Sequence, residues 1–240
     1  ILNDIIDLEY DRDHPNKKDR PIASNKINIK SAYILMVVCL LIGGWLALYL
    51  DSQFINILLI YIFINFLYSF YLKKIIILDI IILMTFYTLR LISGHIINNI
   101  SLSPWLLAFS IFLFFSLGLL KRYIDIMLMS ENNINKLVGR GYTIEDGNIL
   151  MTLGVGSGLI SSLVIILYTG SDEVQQIYSS PVFLVILAPL ILYWISRIWI
   201  MADRKKIKND PITFALKDIN TYIVIFLSLF TMIISKYFIL

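Results

Sequence analysis

Seven long apolar segments constrain the fold of this 240-residue chain more than any other feature of its sequence. A helix needs about 20 mainly apolar residues to cross the hydrocarbon core of a bilayer. Backbone polar groups in lipid must be satisfied within their own element, so such spans are helices. The predicted spans are residues 31–50, 54–72, 75–97, 104–123, 148–168, 181–201 and 219–239. Residues 1–10 are predicted to be the cytoplasmic end of an eighth span, which gives an all-α polytopic transmembrane helix bundle.

Composition and loop charge support a membrane location. The chain is 58% hydrophobic and 15% charged, whereas soluble domains have about 45–50% apolar and about 25% charged residues. The connections around residues 51–53, 94–103 and 169–180 contain no lysine or arginine, and all other connections are basic. The positive-inside rule therefore places the basic loops in the cytoplasm and the chain in the cell inner (plasma) membrane. This rule also accounts for Lys73, Lys74, Lys205, Lys206 and Lys208, to which we assign only a topological role.

Acidic residues crowd the first helix end, and topology does not explain them. Steps of three and four residues place four polar side chains on one helical face, those of Asn3, Asp4, Asp7 and Asp11. Carboxylates this close repel one another, so a cation must compensate: either the basic residues that follow or a divalent metal. Carboxylate and amide oxygens match hard cations such as Mg²⁺, Ca²⁺ or Mn²⁺. With Lys17 and Arg20 close behind, the stretch suits a metal-bridged diphosphate.

The UbiA superfamily of intramembrane prenyltransferases has a first aspartate-rich motif that this stretch resembles: Asn3-Asp4-x-x-Asp7-x-x-x-Asp11, followed by His14-Pro15-x-Lys17-x-x-Arg20-Pro21. The continuation is similar to the branch that contains decaprenyl-phosphate phosphoribosyltransferase. Later stretches also resemble this branch: Lys121-Arg122-Tyr123-x-Asp125, Gly139-Arg140-Gly141-Tyr142, Tyr193-Trp194-x-x-Arg197 and Phe214-Ala215-x-x-Asp218.

The resemblance implies a fold and a site. The family has nine transmembrane helices, so we expect a single UbiA-like domain over residues 1–240 that lacks its N-terminal part. In the family, two acidic motifs face each other across a cavity and bind Mg²⁺ with the diphosphate of the substrate. The second motif departs from the usual pair of aspartates four apart, because the next acid after Asp125 is Glu131. This departure favours the phosphoribosyltransferase-like branch.

The resemblance also assigns roles to individual residues. The expected metal ligands are Asn3, Asp4, Asp7 and Asp11, and the expected catalytic residues are Asp4, Asp7 and Asp125. The expected substrate-binding residues are Lys17, Arg20, Arg90, Lys121, Arg122, Tyr123, Arg140 and Arg197. Lys121 and Arg122 are expected to contact phosphate directly, since the guanidinium fork matches phosphate oxygens.

Three further charges lie within or near predicted spans, where charge is costly and usually faces a cavity or a partner. Arg90 either reaches the phosphate end of a cavity or forms a structural ion pair, and these two interpretations stay level. For Asp79 the structural ion pair is favoured. Arg197 is either a phosphate ligand, which we prefer, or an arginine that reaches the interface. The Gly154, Gly156 and Gly158 cluster predicts close helix packing.

Two reactions fit these residues, and the sequence holds them nearly level. In one, a polyprenyl diphosphate donates its prenyl group to an acceptor. In the other, phosphoribosyl pyrophosphate is the donor and a polyprenyl phosphate is the nucleophile. Both release pyrophosphate and require Mg²⁺, and the expected partners are the polyprenyl lipid and membrane lipids, with no nucleic acid. A transporter with an acidic cytoplasmic gate is a remote alternative, because we find no internal repeat of the kind common in transporters.

Overall fold

The structure is a computed structural model that describes residues 1–13, 17–98, 100–131, 140–207 and 210–238. Over these residues the chain forms helices joined by turns and contains no β-strand. The chain divides into two compact units, and each unit is described by itself. The first comprises residues 1–102 and 136–142, and the second comprises residues 103–135 and 143–240, taken over the described part of the chain.

The first unit contains five α-helices: α1 Leu2–Ile6, α2 Leu8–Asp13, α3 Ile29–Ala47, α4 Ser52–Phe70 and α5 Leu78–Ile97. A short 3-10 turn, Leu72–Lys74, joins α4 to α5. Its buried core lies between these two helices, where Tyr68, Ile82 and Phe86 pack together. The Tyr68 and Phe86 rings meet edge to face, with centroids 5.9 Å apart. This packing fixes the end of α4 against the start of α5.

The second unit contains six α-helices: α6 Pro104–Glu131, α7 Gly147–Thr169, α8 Asp172–Ile177, α9 Leu187–Asp203, α10 Pro211–Ala215 and α11 Ile219–Tyr237. Two 3-10 segments, Ile144–Asp146 and Pro181–Ile186, lead into α7 and α9. An alanine Cβ at Gly154 would lie 2.1 Å from the Trp199 ring, and one at Gly158 would lie 2.5 Å from Ile195. The predicted close packing is therefore confirmed for these two glycines, whereas an added Cβ at Gly156 meets nothing within 4 Å.

Seven helices in the described residues are long and apolar enough to cross a membrane, which confirms the polytopic all-α prediction. They are Ile29–Ala47, Ser52–Phe70, Leu78–Ile97, Pro104–Ser130, Ile144–Thr169, Pro181–Asp203 and Ile219–Tyr237. The prediction was wrong about the end of the fourth span, which we placed at residue 123. The run of apolar residues is interrupted at Lys121 and Arg122, but the helix continues for two more turns beyond residue 123. At 28 residues, α6 is about 42 Å long, more than the hydrocarbon thickness.

Asparagine and aspartate side chains start several of these helices. Asn28 accepts a hydrogen bond from the Lys30 backbone N–H at the start of α3. Asp51 accepts one from Gln53 at the start of α4, over 2.7 Å. Asp218 does the same for Thr221 at the start of α11. Such caps satisfy backbone donors that the first helical turn leaves unpaired.

Candidate functional site

The first acidic motif lies on two short helices with a break between them. Asp7 lies between α1 and α2 and has a backbone ψ of 9°. Backbone hydrogen bonds still link Asp7 to Asn3 and Asp11 to Asp7, over 2.9 and 2.8 Å. Four-residue steps therefore stack these side chains as predicted, and the Asn3 amide donates to Asp7 Oδ2 over 3.0 Å.

Arg20 bridges two carboxylates of this motif. Its Nη1 atom donates to Asp4 Oδ1 over 2.9 Å and to Asp11 Oδ2 over 2.8 Å. The turn that carries Arg20 is held from both sides, because the Arg20 N–H donates to the Lys17 carbonyl and the Ser24 hydroxyl donates to the Arg20 carbonyl. Of the two sources of compensating charge left open by the sequence, the following basic residues supply at least Arg20. Lys17 lies over the Tyr10 ring, 5.1 Å from its centroid.

Lys73 supplies a second cation that sequence reasoning missed. It lies in the 3-10 turn after α4, is only 2% exposed, and contacts Asp7 Oδ1 and Asn3 Oδ1 through its Nζ atom. A purely topological role for Lys73 was therefore wrong, since a lysine that served only topology would keep its ammonium group in water. The neighbouring Lys74 is exposed. Two adjacent lysines after an apolar run carry no local signal that distinguishes the buried one.

Three carboxylates converge in this cluster. Asp4, Asp7 and Asp11 pair with Arg20 and Lys73, and the Ile1 amino group lies 3.4 Å from Asp4 Oδ2. Burial raises the pKa of the Asp11 carboxyl above its usual value, although the adjacent Arg20 opposes this effect. Asp11 is 2% exposed, whereas the Asp4 side chain is 37% exposed. The negative charge of the motif is therefore most open to an added cation at Asp4.

The donor set of this cluster fits a hard divalent cation in its chemistry, since it consists of aspartate carboxylates and one asparagine amide. Among the described residues, however, no group of three or more His, Cys, Asp or Glu side chains is arranged to hold a metal. The carboxylates are instead spread around Arg20 and Lys73. A metal at this site would take over oxygen atoms that now accept hydrogen bonds from those two residues.

The second predicted motif lies on the last turns of α6, in the second unit. Arg122 is 2% exposed and donates to Asp125 Oδ2 over 2.8 Å. Lys121 pairs with Asp210, directly before α10. The Tyr123 hydroxyl donates to Asp203 Oδ1 over 2.7 Å, at the end of α9. The structure brings Lys121, Arg122 and Asp125 to one helix end, and the predicted juxtaposition with the first motif stays a prediction.

A small apolar cavity of about 220 Å³ adjoins this helix end. Leu117, one turn before Lys121, lines it together with Pro211, which follows Asp210. Its other lining residues come from α9, α10 and α11 and are Trp194, Ile212, Ala215, Leu216, Thr221, Tyr222 and Ile225. The Lys121–Asp210 ion pair thus stands beside an apolar space.

Arg197 forms a two-pronged ion pair with Asp218. Its Nη1 and Nη2 atoms donate to the two Asp218 oxygens over 2.7 and 2.8 Å. Burial alone would raise the pKa of Asp218, but hydrogen bonds from Arg197 and Thr221 outweigh it and hold this pKa below its usual value. This pair links the end of α9 to the start of α11, a contact that neither sequence interpretation of Arg197 included.

Arg90 contacts tyrosines. Its Nη2 donates to the Tyr61 hydroxyl over 2.7 Å, and its guanidinium lies over the Tyr61 and Tyr87 rings, 5.6 and 5.4 Å from their centroids. The aromatic faces stabilise a cation here. Arg90 is exposed within the first unit.

Arg140, Gly141 and Tyr142 contact the end of α4 and the start of α5. Arg140 Nη1 donates to the Tyr68 hydroxyl over 2.9 Å. The Tyr142 hydroxyl donates to Asp79 Oδ1 over 2.6 Å and accepts from the Ile77 N–H over 2.8 Å. Asp79 is fully buried. We expected an ion pair for Asp79, and the hydrogen bond from the Tyr142 hydroxyl was not part of that expectation. Gly139 lies outside the described residues.

Comparisons with known proteins agree with the motifs. The model of the UbiA prenyltransferase family matches residues 1–230. The chain is 34% identical over 226 residues to the uncharacterized protein y4nM of Sinorhizobium fredii. The aligned region covers 93% of this chain and 44% of that protein. It is 29% identical over 219 residues to the nodulation protein NoeC of Azorhizobium caulinodans, which covers 91% of this chain and 71% of NoeC.

A third relative is the decaprenyl-phosphate phosphoribosyltransferase of Mycolicibacterium smegmatis. It is 36% identical over 134 residues, 53% of this chain and 40% of that enzyme. The chain thus spans less than half the length of two of these three relatives. The family model covers nearly the whole chain, together with the seven helices able to span a membrane. This chain is a multi-pass membrane protein that belongs to the UbiA prenyltransferase family.

Proposed function

We propose that the complete protein is a Mg²⁺-dependent membrane transferase that acts on a polyprenyl phosphate lipid and releases pyrophosphate. The observation that carries this proposal is the convergence of three carboxylates and one amide at the same helix end. Asp4, Asp7 and Asp11 lie with Asn3 around Arg20 and Lys73, and such oxygen ligands suit Mg²⁺. A metal ion bound between these carboxylates and a diphosphate would neutralise negative charge on both.

Asn3, Asp4, Asp7 and Asp11 are the residues that would hold the metal. Bound Mg²⁺ would stabilise the negative charge that develops on the leaving pyrophosphate. Arg20 holds Asp4 and Asp11 in place, and Lys73 does the same for Asp7. Both cations are positioned before substrate arrives, and such preorganised charge lowers the barrier for charge separation.

The remaining predicted residues divide by their contacts. Lys17, Lys121 and Arg122 are proposed phosphate ligands, with Asp125 orienting Arg122 across the 2.8 Å contact. Tyr123, Arg140 and Arg197 each bind another side chain of their own unit, which supports positioning roles. Arg90 stays a predicted substrate-binding residue, although its described contacts are with Tyr61 and Tyr87.

The apolar cavity beside Lys121 supports a lipid substrate. A polyprenyl phosphate has a charged head and an apolar chain, and the second unit offers a lysine next to an apolar space. We propose that the first isoprene units lie there, while the phosphate exchanges with Asp210 for Lys121. Ionic contacts at a partly exposed lysine are weak, so such an exchange costs little free energy.

We propose phosphoribosyl pyrophosphate as the donor. The lipid phosphate oxygen would attack the anomeric carbon of the ribose, and the carbon–oxygen bond to pyrophosphate would break. This choice is supported by the similarity to the decaprenyl-phosphate phosphoribosyltransferase of Mycolicibacterium smegmatis and by the single aspartate of the second motif. The second candidate is prenyl transfer from a polyprenyl diphosphate, which membership of a prenyltransferase family favours.

Labelled donors separate the two reactions. Membranes from cells that express the complete gene would be incubated with phosphoribosyl pyrophosphate labelled in the ribose, or with polyprenyl diphosphate labelled in the prenyl chain. We expect the ribose label to enter the lipid fraction only when Mg²⁺ and polyprenyl phosphate are both present. Transfer of the prenyl label to a new acceptor, without ribose incorporation, would support the second candidate instead.

Removing one carboxylate tests the metal role. We expect Asp7→Asn to lower Mg²⁺-dependent pyrophosphate release at least about a hundredfold, because metal ions contribute several kcal/mol to stabilising transition-state charge. Asp172→Asn is the matched control, since Asp172 is an exposed acid on α8. Release that stays normal in Asp7→Asn would contradict the proposal.

We further propose that the basic loops face the cytoplasm of a cell whose inner membrane holds the protein. The lysine and arginine distribution supports this orientation. Fusion of a reporter that is active only in the cytoplasm to the loop at residues 204–208 should give signal, and fusion at residues 169–172 should give none. The reverse pattern would overturn the orientation.

A further inference from the structure

Arg140, Gly141 and Tyr142, named here the brace, contact the chain on both sides of Lys73. Arg140 binds Tyr68 near the end of α4, and Tyr142 binds Ile77 and Asp79 at the start of α5. Lys73 lies in the turn between these anchor points. The brace and the turn belong to the same compact unit.

Gly141 passes close to the turn itself. An alanine Cβ at this position would lie 2.7 Å from Ile76 Cγ1 and 2.8 Å from the Lys74 carbonyl oxygen. A backbone carbonyl cannot move aside as the end of a flexible side chain can. Any side chain at position 141 would therefore push the brace away from the residue that follows Lys73.

The connection between α4 and α5, which contains the Lys73 turn, needs support because its backbone is strained at Ile77. Ile77 has a φ of 65° and a ψ of −39°, and the Leu78 N–H donates to the Ile76 carbonyl over 2.8 Å. This is a γ-turn with a positive φ, a rare conformation and an unfavourable one for a β-branched residue. The Tyr142 hydroxyl takes the Ile77 N–H that the turn leaves without a helical partner. Strain of this kind persists only where surrounding contacts enforce it.

We propose that the brace is a positioning device for the first motif: it fixes the connection between α4 and α5, strained at Ile77, so that the Lys73 ammonium group reaches Asp7 and Asn3. Lys73 is buried, and its Nζ meets both residues. The brace itself touches no substrate in this proposal. Its relevance to catalysis rests on the proposed function, but its effect on Lys73 does not.

Amine labelling tests the structural part without any substrate. The full chain in lipid nanodiscs would be treated with an acylating ester, and modification of Lys73 and Lys74 would be followed by tandem mass spectrometry. In the wild-type protein, Lys73 should react far more slowly than the exposed Lys74. We expect Gly141→Ala and Tyr142→Phe to raise the Lys73 to Lys74 labelling ratio at least about tenfold, because release of the turn exposes a buried ammonium group.

Matched variants control for substitution itself. Gly94→Ala adds a methyl group that meets nothing within 4 Å, and Tyr33→Phe removes a hydroxyl from an exposed tyrosine; neither should change the ratio. Tyr142→Phe preserves the shape of the side chain, so it reports even if Gly141→Ala fails to fold. A ratio unchanged in folded Tyr142→Phe protein would overturn the proposal.

A double-mutant cycle tests the catalytic part. We expect Lys73→Gln and Gly141→Ala each to lower pyrophosphate release at least about tenfold, and their combination to be at most about twofold worse than Lys73→Gln, because both act through one contact. If the two substitutions lower the rate of pyrophosphate release multiplicatively, the positioning role is overturned, because multiplicative losses indicate that the two residues act independently. If the wild-type protein releases no pyrophosphate, the proposed function fails, and the labelling result still decides the structural part.

Discussion

The two charged regions of the molecule have different charge arrangements. In the first unit, the carboxylates of Asp4, Asp7 and Asp11 converge on Arg20 and Lys73, with the Ile1 amino group also near Asp4. In the described part of the second unit, Lys121 pairs with Asp210, Arg122 with Asp125 and Arg197 with Asp218. The pKa directions differ in the same way, because burial raises the pKa of Asp11 while Arg197 and Thr221 hold that of Asp218 low.

This difference separates binding from anchoring. A carboxylate in a matched pair is satisfied and fixes two helices relative to each other, as Asp218 does for α9 and α11. A carboxylate in an acid-rich cluster gains by accepting another cation. We propose that the first region receives the metal ion and that the second region holds the lipid phosphate.

The largest expected effect is loss of the matched pair between α9 and α11. Asp218→Asn should lower the free energy of unfolding by about 3 kcal/mol, because removal of one partner leaves a largely buried arginine uncompensated. Thermal unfolding of the protein in nanodiscs would measure it. Asp172→Asn is the control, as an exposed acid. Unchanged stability in Asp218→Asn would show that this pair anchors nothing.

Cation binding should stabilise only the first region. Mg²⁺ together with inorganic pyrophosphate, at ten times the dissociation constant, should add about 1.4 kcal/mol to the free energy of unfolding. Asp4→Asn should abolish most of this gain, because Asp4 is the most exposed carboxylate of the cluster. Equal loss of the gain in Asp125→Asn would erase the contrast between the two regions.

The same substitution at two arginines gives a smaller and more discriminating effect. Arg20→Gln should cost about 1–2 kcal/mol of stability: its pair with the exposed Asp4 contributes little, but the buried Asp11 loses its cationic partner. It should also tighten Mg²⁺ binding, since a cation that competes for the Asp4 and Asp11 oxygens is removed. Arg197→Gln should cost more and leave Mg²⁺ binding unchanged. Calorimetric titration and thermal unfolding would measure both quantities, and weaker Mg²⁺ binding in Arg20→Gln would contradict this competition.

The smallest expected effect is a pH dependence from Asp218. Its pKa lies below the ordinary value of 3.8, so its carboxylate stabilises the fold at every pH above that value, and this contribution is lost as the pH falls towards the lowered pKa. The stability difference between wild type and Asp218→Asn should stay constant from pH 7 to pH 5 and narrow below about pH 4. A difference that narrows already near pH 6 would contradict the assignment.

Hydropathy and spacing predicted the fold well because both follow from local rules. The apolar segments gave seven spans, and the steps between Asn3, Asp7 and Asp11 gave their shared face. Lys73 could not be found in this way, because its contact with Asp7 joins residues 66 positions apart. The ion pair of Arg197 with Asp218 was missed for the same reason: both residues belong to the resemblance, but their contact depends on how α9 meets α11.

The length of α6 links the second motif to the membrane itself. Its charged last turns follow a continuous helix that begins at Pro104, so no flexible joint separates them from the apolar part. A bilayer several ångströms thicker would draw Lys121 towards the acyl chains unless the helix shifted or straightened, and either adjustment carries a modest energetic cost. We therefore expect the thickness of the host membrane to affect how deeply this cationic helix end lies.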